Sequence, residues 1–333
     1  MKITHVITGM QKAAGTTTFV ENVVAGLMAA GHDVEVVMSD AEFSQCDIMH
    51  IHGLWDALLH KACRYAIKNN IPIVWSTHGM TAPWAMRHKR WKKFLPWRLY
   101  QKGDLNLAAA IHCTTELETG WNKMLGFKNC FVAPLGTQLP EIHSPAQTHN
   151  SKHTLLFVGR IYPVKGLVNL IKAWSLCNVD GWKLRIVGPD QAGHKAELSV
   201  LVKELGLCAS VEFAGPRYGE ELSQEYDCCD CLVLPSFTEN FGATIVDALA
   251  HGKPCIASSF TPWRELTEYG CGWWVSNESK VLASAINEMV AMPDAARRQM
   301  GTRGRMLVEE KYTWDAVVKK LVRAYEEVLN GRA

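Results

Sequence analysis

The 333-residue sequence has no run of 18 uncharged apolar residues, so no stretch of it is long and apolar enough to span a bilayer as a helix. It has no low-complexity tract and no excess of charge. With 48% hydrophobic and 20% charged residues, disorder, collagen-like repeats and coiled coil are excluded as its main theme. Lys plus Arg number 35 against 33 Asp plus Glu, and a net charge of +2 gives no global electrostatic case for nucleic acid. There is no G-x-G-x-x-G, which removes the best support for a dinucleotide oxidoreductase. A P-loop, H-E-x-x-H and G-x-S-x-G are also missing. The eleven cysteines are scattered, and the one cluster, Cys228, Cys229 and Cys231, lacks the spacing of a zinc ribbon or finger. They read as buried free thiols of a reducing cytosol. The opening Met1–Ile7 is too short and polar for a signal peptide and reads as a first strand, so a cytoplasmic protein is expected.

What is present is alternation. Strand-like runs at 3–8, 34–38, 47–51, 71–75, 109–113 and 130–133 are separated by helical patterns at 17–30, 57–69, 97–106 and 116–125. Residues 137–152 are polar, hold two prolines and have no period, which marks a linker. A second series follows, with strands at 154–158, 183–187, 210–213, 231–234 and 255–257. Its helices fall at 167–177, 195–205, 219–226 and 242–251, and residues 279–330 read as helical throughout. Trp273, Trp274 and Trp314 are expected to pack near those last helices. The expectation is an α/β protein of two Rossmann-like domains facing across a cleft. Ligands in such sheets bind beyond the carboxyl ends of the strands, so the loops there are where chemistry is sought.

Gly159-Arg160 and Lys165-Gly166 bound one such loop ahead of a helix. Two cations five apart at a helix N-terminus suit a diphosphate, with Arg160 gripping oxygens in bidentate fashion and Lys165 as a point charge; a solvated basic loop is the plainer alternative. After the buried run 231–234 comes Glu239-Asn240-Phe241-Gly242, with Asp247 inside the next helix. These carboxylates could hold sugar hydroxyls, or Glu239 could simply cap the helix. Cations are uneven along the chain: residues 1–150 carry 14 basic and 11 acidic side chains, and seven basic residues with no acidic one lie between Arg87 and Lys102. Trp84, Arg87, Lys89, Arg90, Trp91, Lys92 and Lys93 read as a solvated amphipathic helix, as a patch for anionic lipid with tryptophan at headgroup level, or as a nucleic-acid surface, which the balanced total charge disfavours.

Taken together, Gly159-Arg160, Lys165-Gly166 and Glu239-x7-Asp247 with Phe241-Gly242 resemble glycosyltransferase family 4, retaining enzymes of the GT-B fold that use nucleotide sugars. The resemblance spans nearly the whole chain. It departs from the family at Asp247, where the family carries Glu. It implies that Arg160 and Lys165 hold the leaving diphosphate and that Glu239, with the backbone of Asn240 to Gly242, holds the donor sugar. Asp247 would bind the ribose, and the segment around Phe213 would read the base. Ala14-Gly15-Thr16 stands where the family has its glycine-rich turn, so Gly15 would face phosphate or acceptor; a tight turn is the plainer reading. His78, just after a strand, would point at the sugar near the reacting carbon, whereas His50 and His52 read as packing or cleft residues. The wording Thr77-His78-Gly79-Met80 with Pro83-Trp84-Ala85 is similar to bacterial transferases that build surface polysaccharides on lipid-linked acceptors.

The resemblance therefore implies residues 1–145 as an acceptor-binding domain and 153–312 as a nucleotide-sugar domain. Residues 313–333 would be a last helix packing back on the first domain. The donor would be UDP- or GDP-linked, the acceptor a glycan or lipid-linked glycan, and the location cytoplasmic, peripheral on the inner face of the membrane. No nucleic acid and no cofactor are expected. A resident metal is not expected either, because no Asp-x-Asp is present. Glu116 and Glu118 look like helix-start residues rather than nucleophiles, which favours front-face substitution over a covalent intermediate. Two rivals stay open: a non-catalytic sugar-nucleotide binding module, and a phosphorylase or epimerase on the same plan.

Overall fold

The β-branched runs of the sequence become parallel strands in the computed structural model, which describes residues 1–9, 15–141 and 153–331. They fall into two units: Met1–Gly136 with Trp314–Ala333, and Thr137–Thr313. The first unit is built from β1 (Lys2–Val6), α1 (Gly15–Ala29), β2 (Asp33–Val37), β3 (Ile48–His52), α2 (Ala57–Lys68) and β4 (Ile73–Ser76). It continues through α3 (Pro83–Arg87), α4 (Arg90–Pro96), α5 (Lys102–Leu107), β5 (Ala110–Cys113), α6 (Glu116–Met124) and β6 (Cys130–Val132). The strand order is β2-β1-β3-β4-β5-β6, every pair parallel.

Successive side chains on a strand face opposite ways, so each strand feeds two cores. Ile3, Ile48, Val74 and Ala110 pack with Phe19, Val23 and Leu27 of α1 on one side. Val6, Ile51, Trp75 and Ile111 pack with Leu59, Ala62 and Ala66 of α2 on the other. The first face is closed by a helix from the far end of the chain, which supplies Val317, Leu321 and Tyr325.

The second unit holds β7 (His153–Val158), α7 (Leu167–Trp174), β8 (Trp182–Val187), α8 (His194–Glu204), β9 (Val211–Gly215) and α9 (Gly219–Cys228). After them come β10 (Cys231–Leu234), α10 (Ala243–Ala250), β11 (Cys255–Ser258), α11 (Glu265–Glu268), β12 (Gly272–Val275), α12 (Ser279–Ala291) and α13 (Asp294–Lys311). Its order is β12-β11-β10-β7-β8-β9, again parallel. The chain then returns to the first unit as α14 (Trp314–Leu329).

Several local expectations need correction. The C-terminal region is three helices: Pro293 has no N–H to give and holds Met292 extended (ψ 137°), and a second break falls at Tyr312. The second series has one strand more than expected, β12, which carries Trp273 and Trp274 and is too short to stand out by its periodicity. The basic segment is not one helix, because Lys89 sits in the left-handed region (φ 49°) between α3 and α4. After Pro96 the turn Trp97–Gln101 is π-helical. The cysteines are free, but not all are buried as expected: Cys208 and Cys228 are exposed, Cys130 and Cys177 half-buried and the other seven buried.

Candidate functional site

In the second unit the strand order reverses between β7 and β10, and at that switch point an open α/β sheet offers its ligand crevice. The loops leaving these two strands are stitched together. Phe237 N–H donates to the Val164 carbonyl (2.8 Å), and Asn277 Nδ2 donates to the Pro235 carbonyl. Gly166 lies so close to this loop that a Cβ there would stand 2.1 Å from Pro235 O, and its φ of 71° lies in the left-handed region that favours glycine. The stitching brings Lys165 to Glu239. Its ammonium donates to Oε1 at 2.5 Å, and Ser236 Oγ donates to the same oxygen at 2.7 Å. Both partners of the ion pair are mostly buried, with side chains 15% and 13% exposed. Lys165 is thus no solvated cation, and Glu239 is no helix cap, since α10 has no side-chain cap.

The other expected residues of this unit sit around that pair without joining it. Arg160 is exposed, and its Nη1 donates to Gln191 Oε1 (2.9 Å) in the loop after β8. Phe241 is buried, its ring against Trp263 and its carbonyl accepting from Trp263 Nε1. Gly242 starts α10 in the left-handed region, and Gly159 follows the end of β7. Asn240 lies between Glu239 and Phe241 in the loop before α10. Asp247, in the second turn of α10, accepts from Thr137 Oγ1 at 2.7 Å. Burial pushes its carboxyl up to about 6, against the pull of Thr137 and His251. Phe213 lies in β9, the edge strand of the sheet, and the pairing slips one residue just beyond it, where Gly215 faces Val187. Such a bulge at a strand's carboxyl end re-aims backbone groups. Sequence spacing does not single out Thr137, Gln191 or Asn277. Ser236, three residues before Glu239, is the one partner that spacing could have found.

In the first unit the corresponding switch point lies between β1 and β3. A pocket of about 190 Å³ there is lined by Thr8, Gly9, Thr16, Thr17, His52 and Met80, among others. Gly15 is the first residue of α1, whereas Ala14 lies outside the described residues. His78 occupies the left-handed region (φ 47°), which a non-glycine residue adopts only when its surroundings hold it. Glu118 does the holding. Its carboxylate accepts from Thr77 Oγ1 (2.7 Å), Gly79 N–H (2.5 Å) and both the N–H and Oγ1 of Thr114 (2.8 and 2.9 Å). Burial pushes that carboxyl up, but these hydrogen bonds and His78 outweigh it and keep it below the usual range. A carboxylate so engaged is a clamp, not a nucleophile.

His78 Nε2 meets His52 Nδ1 at 3.0 Å, and His52 Nε2 meets His5 Nδ1 at 2.8 Å. A second chain runs Tyr325 Oη, His50, Ser76 and His112 to the Ala133 carbonyl, each contact 2.6–2.7 Å. Burial above all lowers the pKa of every one of these imidazoles, His5 to about 3 and His78 to about 4. His5, His50 and His52 offer nitrogens within 4.8 Å of one another, near enough to consider a metal ion. Both nitrogens of His50 and both of His52 are already committed to hydrogen bonds, so the donor set fits a metal poorly. The alternation of His50 and His52 along β3 is the sequence signal that points to this cluster.

The basic segment presents Trp84, Arg87, Lys89, Arg90, Trp91 and Lys92 at the surface, together with Phe94, Leu95 and Leu99. Trp91 and Leu99 are 76% and 71% exposed. Lys93 departs from the patch: it turns back to donate to the Ala85 carbonyl and lies over the Trp55 ring. Among the described residues no helix is long and apolar enough to cross a membrane.

Open parallel sheets take their ligands at the point where the strand order reverses, and here a largely buried lysine–carboxylate pair stands at that point, in a chain that holds a second parallel sheet. The family described as "Glycosyl transferases group 1" matches residues 140–306, and the chain belongs to that family. It is 28% identical over 222 residues (61% of the chain) to a D-inositol 3-phosphate glycosyltransferase of Stackebrandtia nassauensis. It is 30% identical over 176 residues (50% of the chain) to the lipopolysaccharide 1,2-N-acetylglucosaminetransferase of Salmonella typhimurium. The chain spans about half the length of these curated relatives, 49% and 46%. In fold it is similar to Anabaena HepE in complex with UDP, with a TM-score of 0.81, 18% identity, and 98% and 100% of the two chains covered.

Proposed function

We propose that the protein is a retaining glycosyltransferase that moves a hexose-type sugar from a UDP- or GDP-linked donor to a glycan or lipid-linked glycan of a surface polysaccharide. The observation that carries this reading is the Lys165–Glu239 pair at the switch point of the second unit, a cation for phosphate held against a carboxylate for hydroxyls. Family membership supports the transfer chemistry, and the switch-point position supports a nucleotide ligand. In this reading Lys165 and Arg160 take the charge of the departing diphosphate, whose oxygen accepts the proton of the attacking hydroxyl. The C–O bond to the acceptor forms on the face the diphosphate leaves. Glu239, with the backbone of Asn240 to Gly242, holds the sugar. Asp247 holds the ribose, and the backbone beside Phe213 meets the base. His78 is the first unit's contact with the transferred sugar.

The clamp on Glu118 favours this front-face route over a double displacement, since its oxygens are already taken by four donors. No resident metal or cofactor enters the proposal. Exposed aromatics beside Arg87, Lys89 and Arg90 support peripheral attachment to the cytoplasmic face of an anionic membrane. The test is a thermal-shift panel of nucleoside diphosphates, run with and without EDTA. A nucleotide at 100 times its dissociation constant adds about 2.7 kcal/mol of stability. UDP or GDP should stabilise the wild type in both conditions, and Lys165→Ala should lose most of the effect. No shift with any nucleotide, or a shift abolished by EDTA, overturns the reading.

A further inference from the structure

Five imidazoles line one face of the first unit's sheet or the loop beside it, and physical chemistry assigns their protons. His5 and His50 are neighbours in register, His52 lies opposite Ser76, and Ser76 lies opposite His112. The Ala133 carbonyl only accepts, so His112 carries its proton on Nε2. Its bare Nδ1 then takes the Ser76 hydroxyl, the Ser76 oxygen takes His50 Nε2–H, and His50 Nδ1 takes the Tyr325 hydroxyl. One carbonyl orders the whole row.

The chain His5–His52–His78 has no such carbonyl at its buried end. Among the described residues His5 Nε2 is buried without a hydrogen-bond partner. If protons ran from His78 toward His5, that nitrogen would be a buried N–H with no acceptor, which among backbone groups is the rarer kind of orphan. If they run outward, His5 Nδ1–H donates to His52 Nε2 and His52 Nδ1–H donates to His78 Nε2. His78 Nε2 is then an acceptor, and its single proton must sit on Nδ1.

We propose that His5 and His52 are positioning residues that hold His78 as the neutral Nδ1–H tautomer, a fixed hydrogen-bond donor to an oxygen of the sugar substrate. This rests on His78 as the sugar-facing group of the first unit. A neutral donor has a chemical advantage there. Positive charge grows on the anomeric carbon during transfer, and an imidazolium beside it would oppose that charge, whereas a neutral N–H does not. The second hydrogen-bond row keeps the neighbouring rings fixed without exchanging protons with the first.

The test is ¹⁵N NMR of the histidine-labelled full chain, with the His78 signals identified by their loss in His78→Asn. The wild type should show His78 protonated on Nδ1 and bare on Nε2. His52→Gln, whose amide can donate in place of Nδ1–H, should keep that pattern. His52→Leu should release it, as should the double variant His5→Phe/His52→Leu, which leaves no orphan donor. In hydrolysis of the UDP- or GDP-hexose, the double variant should lose about 10–100-fold in kcat, by analogy with partners that orient a metal-bound histidine. Donor KM should stay nearly constant, with recovery in His52→Gln. A wild-type proton on Nε2, an unchanged tautomer in the leucine variants, or one equivalent of zinc or copper bound by the purified protein overturns the proposal. If no nucleotide sugar is hydrolysed, the transferase reading fails while the nitrogen spectra still decide the tautomer.

Discussion

Glu239 and Asp247 are eight residues apart, yet they stand in opposite electrostatic situations. Glu239 faces a cation and a hydroxyl, whereas Asp247 faces one hydroxyl and has a raised pKa. Interactions that strengthen in the transition state raise turnover, and uniform ones change only affinity. Glu239→Gln should therefore lower kcat, on the order of 2–4 kcal/mol as for removal of a pre-organised polar group. Asp247→Asn should mainly raise the donor KM. Donor-saturation kinetics separate the two, and loss of turnover in Asp247→Asn with normal kcat in Glu239→Gln would reverse the assignment. Asp247 makes a second, thermodynamic prediction. Its folded pKa of about 6 lies above the ordinary 3.8, so the cost of ionising it in place is absent below pH 3.8 and complete above pH 6. Asp247→Asn should accordingly stabilise the protein at pH 7–8, by up to about 3 kcal/mol, and give no gain at about pH 3.5. Thermal melts of the two proteins across that range supply the check. A gain that does not vary with pH would show that burial of the charge is not the cause.

Among the elements, α3 and α4 differ most from what their sequence suggests. A charge run commonly marks a solvated helix face; here a left-handed Lys89 splits the run and leaves Trp91, Phe94 and Leu95 outside among the cations. Replacing Arg87, Lys89, Arg90 and Lys92 with neutral residues should weaken sedimentation with anionic vesicles by about 1 kcal/mol per charge. Hydrolysis of a soluble donor should be unchanged. Lys93 is left out because it ties α4 to α3. Vesicle binding equal to wild type would return the segment to an ordinary surface. The alternation of strands and helices is legible in the sequence because period-2 and period-3.6 patterns are local. Lys89 is not, since a left-handed lysine carries no composition signal. The loops with Arg160, Lys165 and Glu239 are legible from residue types at strand ends. Of the histidine rows only the alternation of His50 and His52 shows in the sequence; His5, Ser76 and His112 join them through sheet register, which no single stretch of sequence displays.

At the scale of the whole molecule, the second unit is an insertion in the chain of the first, since residues 137–313 lie between β6 and α14. Val317, Leu321 and Tyr325 of α14 belong to the core of the first unit, and Tyr325 also ends one histidine row. Calorimetry should resolve two transitions, of which UDP or GDP raises only the one belonging to the second unit. Truncation before Trp314 should abolish the first unit's transition and leave the other within a few degrees. Survival of both would mean that α14 is dispensable to that core. The same connectivity sets a timetable for synthesis. Roughly 180 residues separate β6 from α14, and at about 5–20 residues per second a ribosome needs roughly 10–40 s to make them. Throughout that interval the nascent first unit displays the sheet face that α14 will cover, and the second unit itself is complete only once α13 has been made, a few residues before α14. The part of the protein that is translated first therefore waits for α14 before its core can close, and its open sheet face is the surface a chaperone would protect.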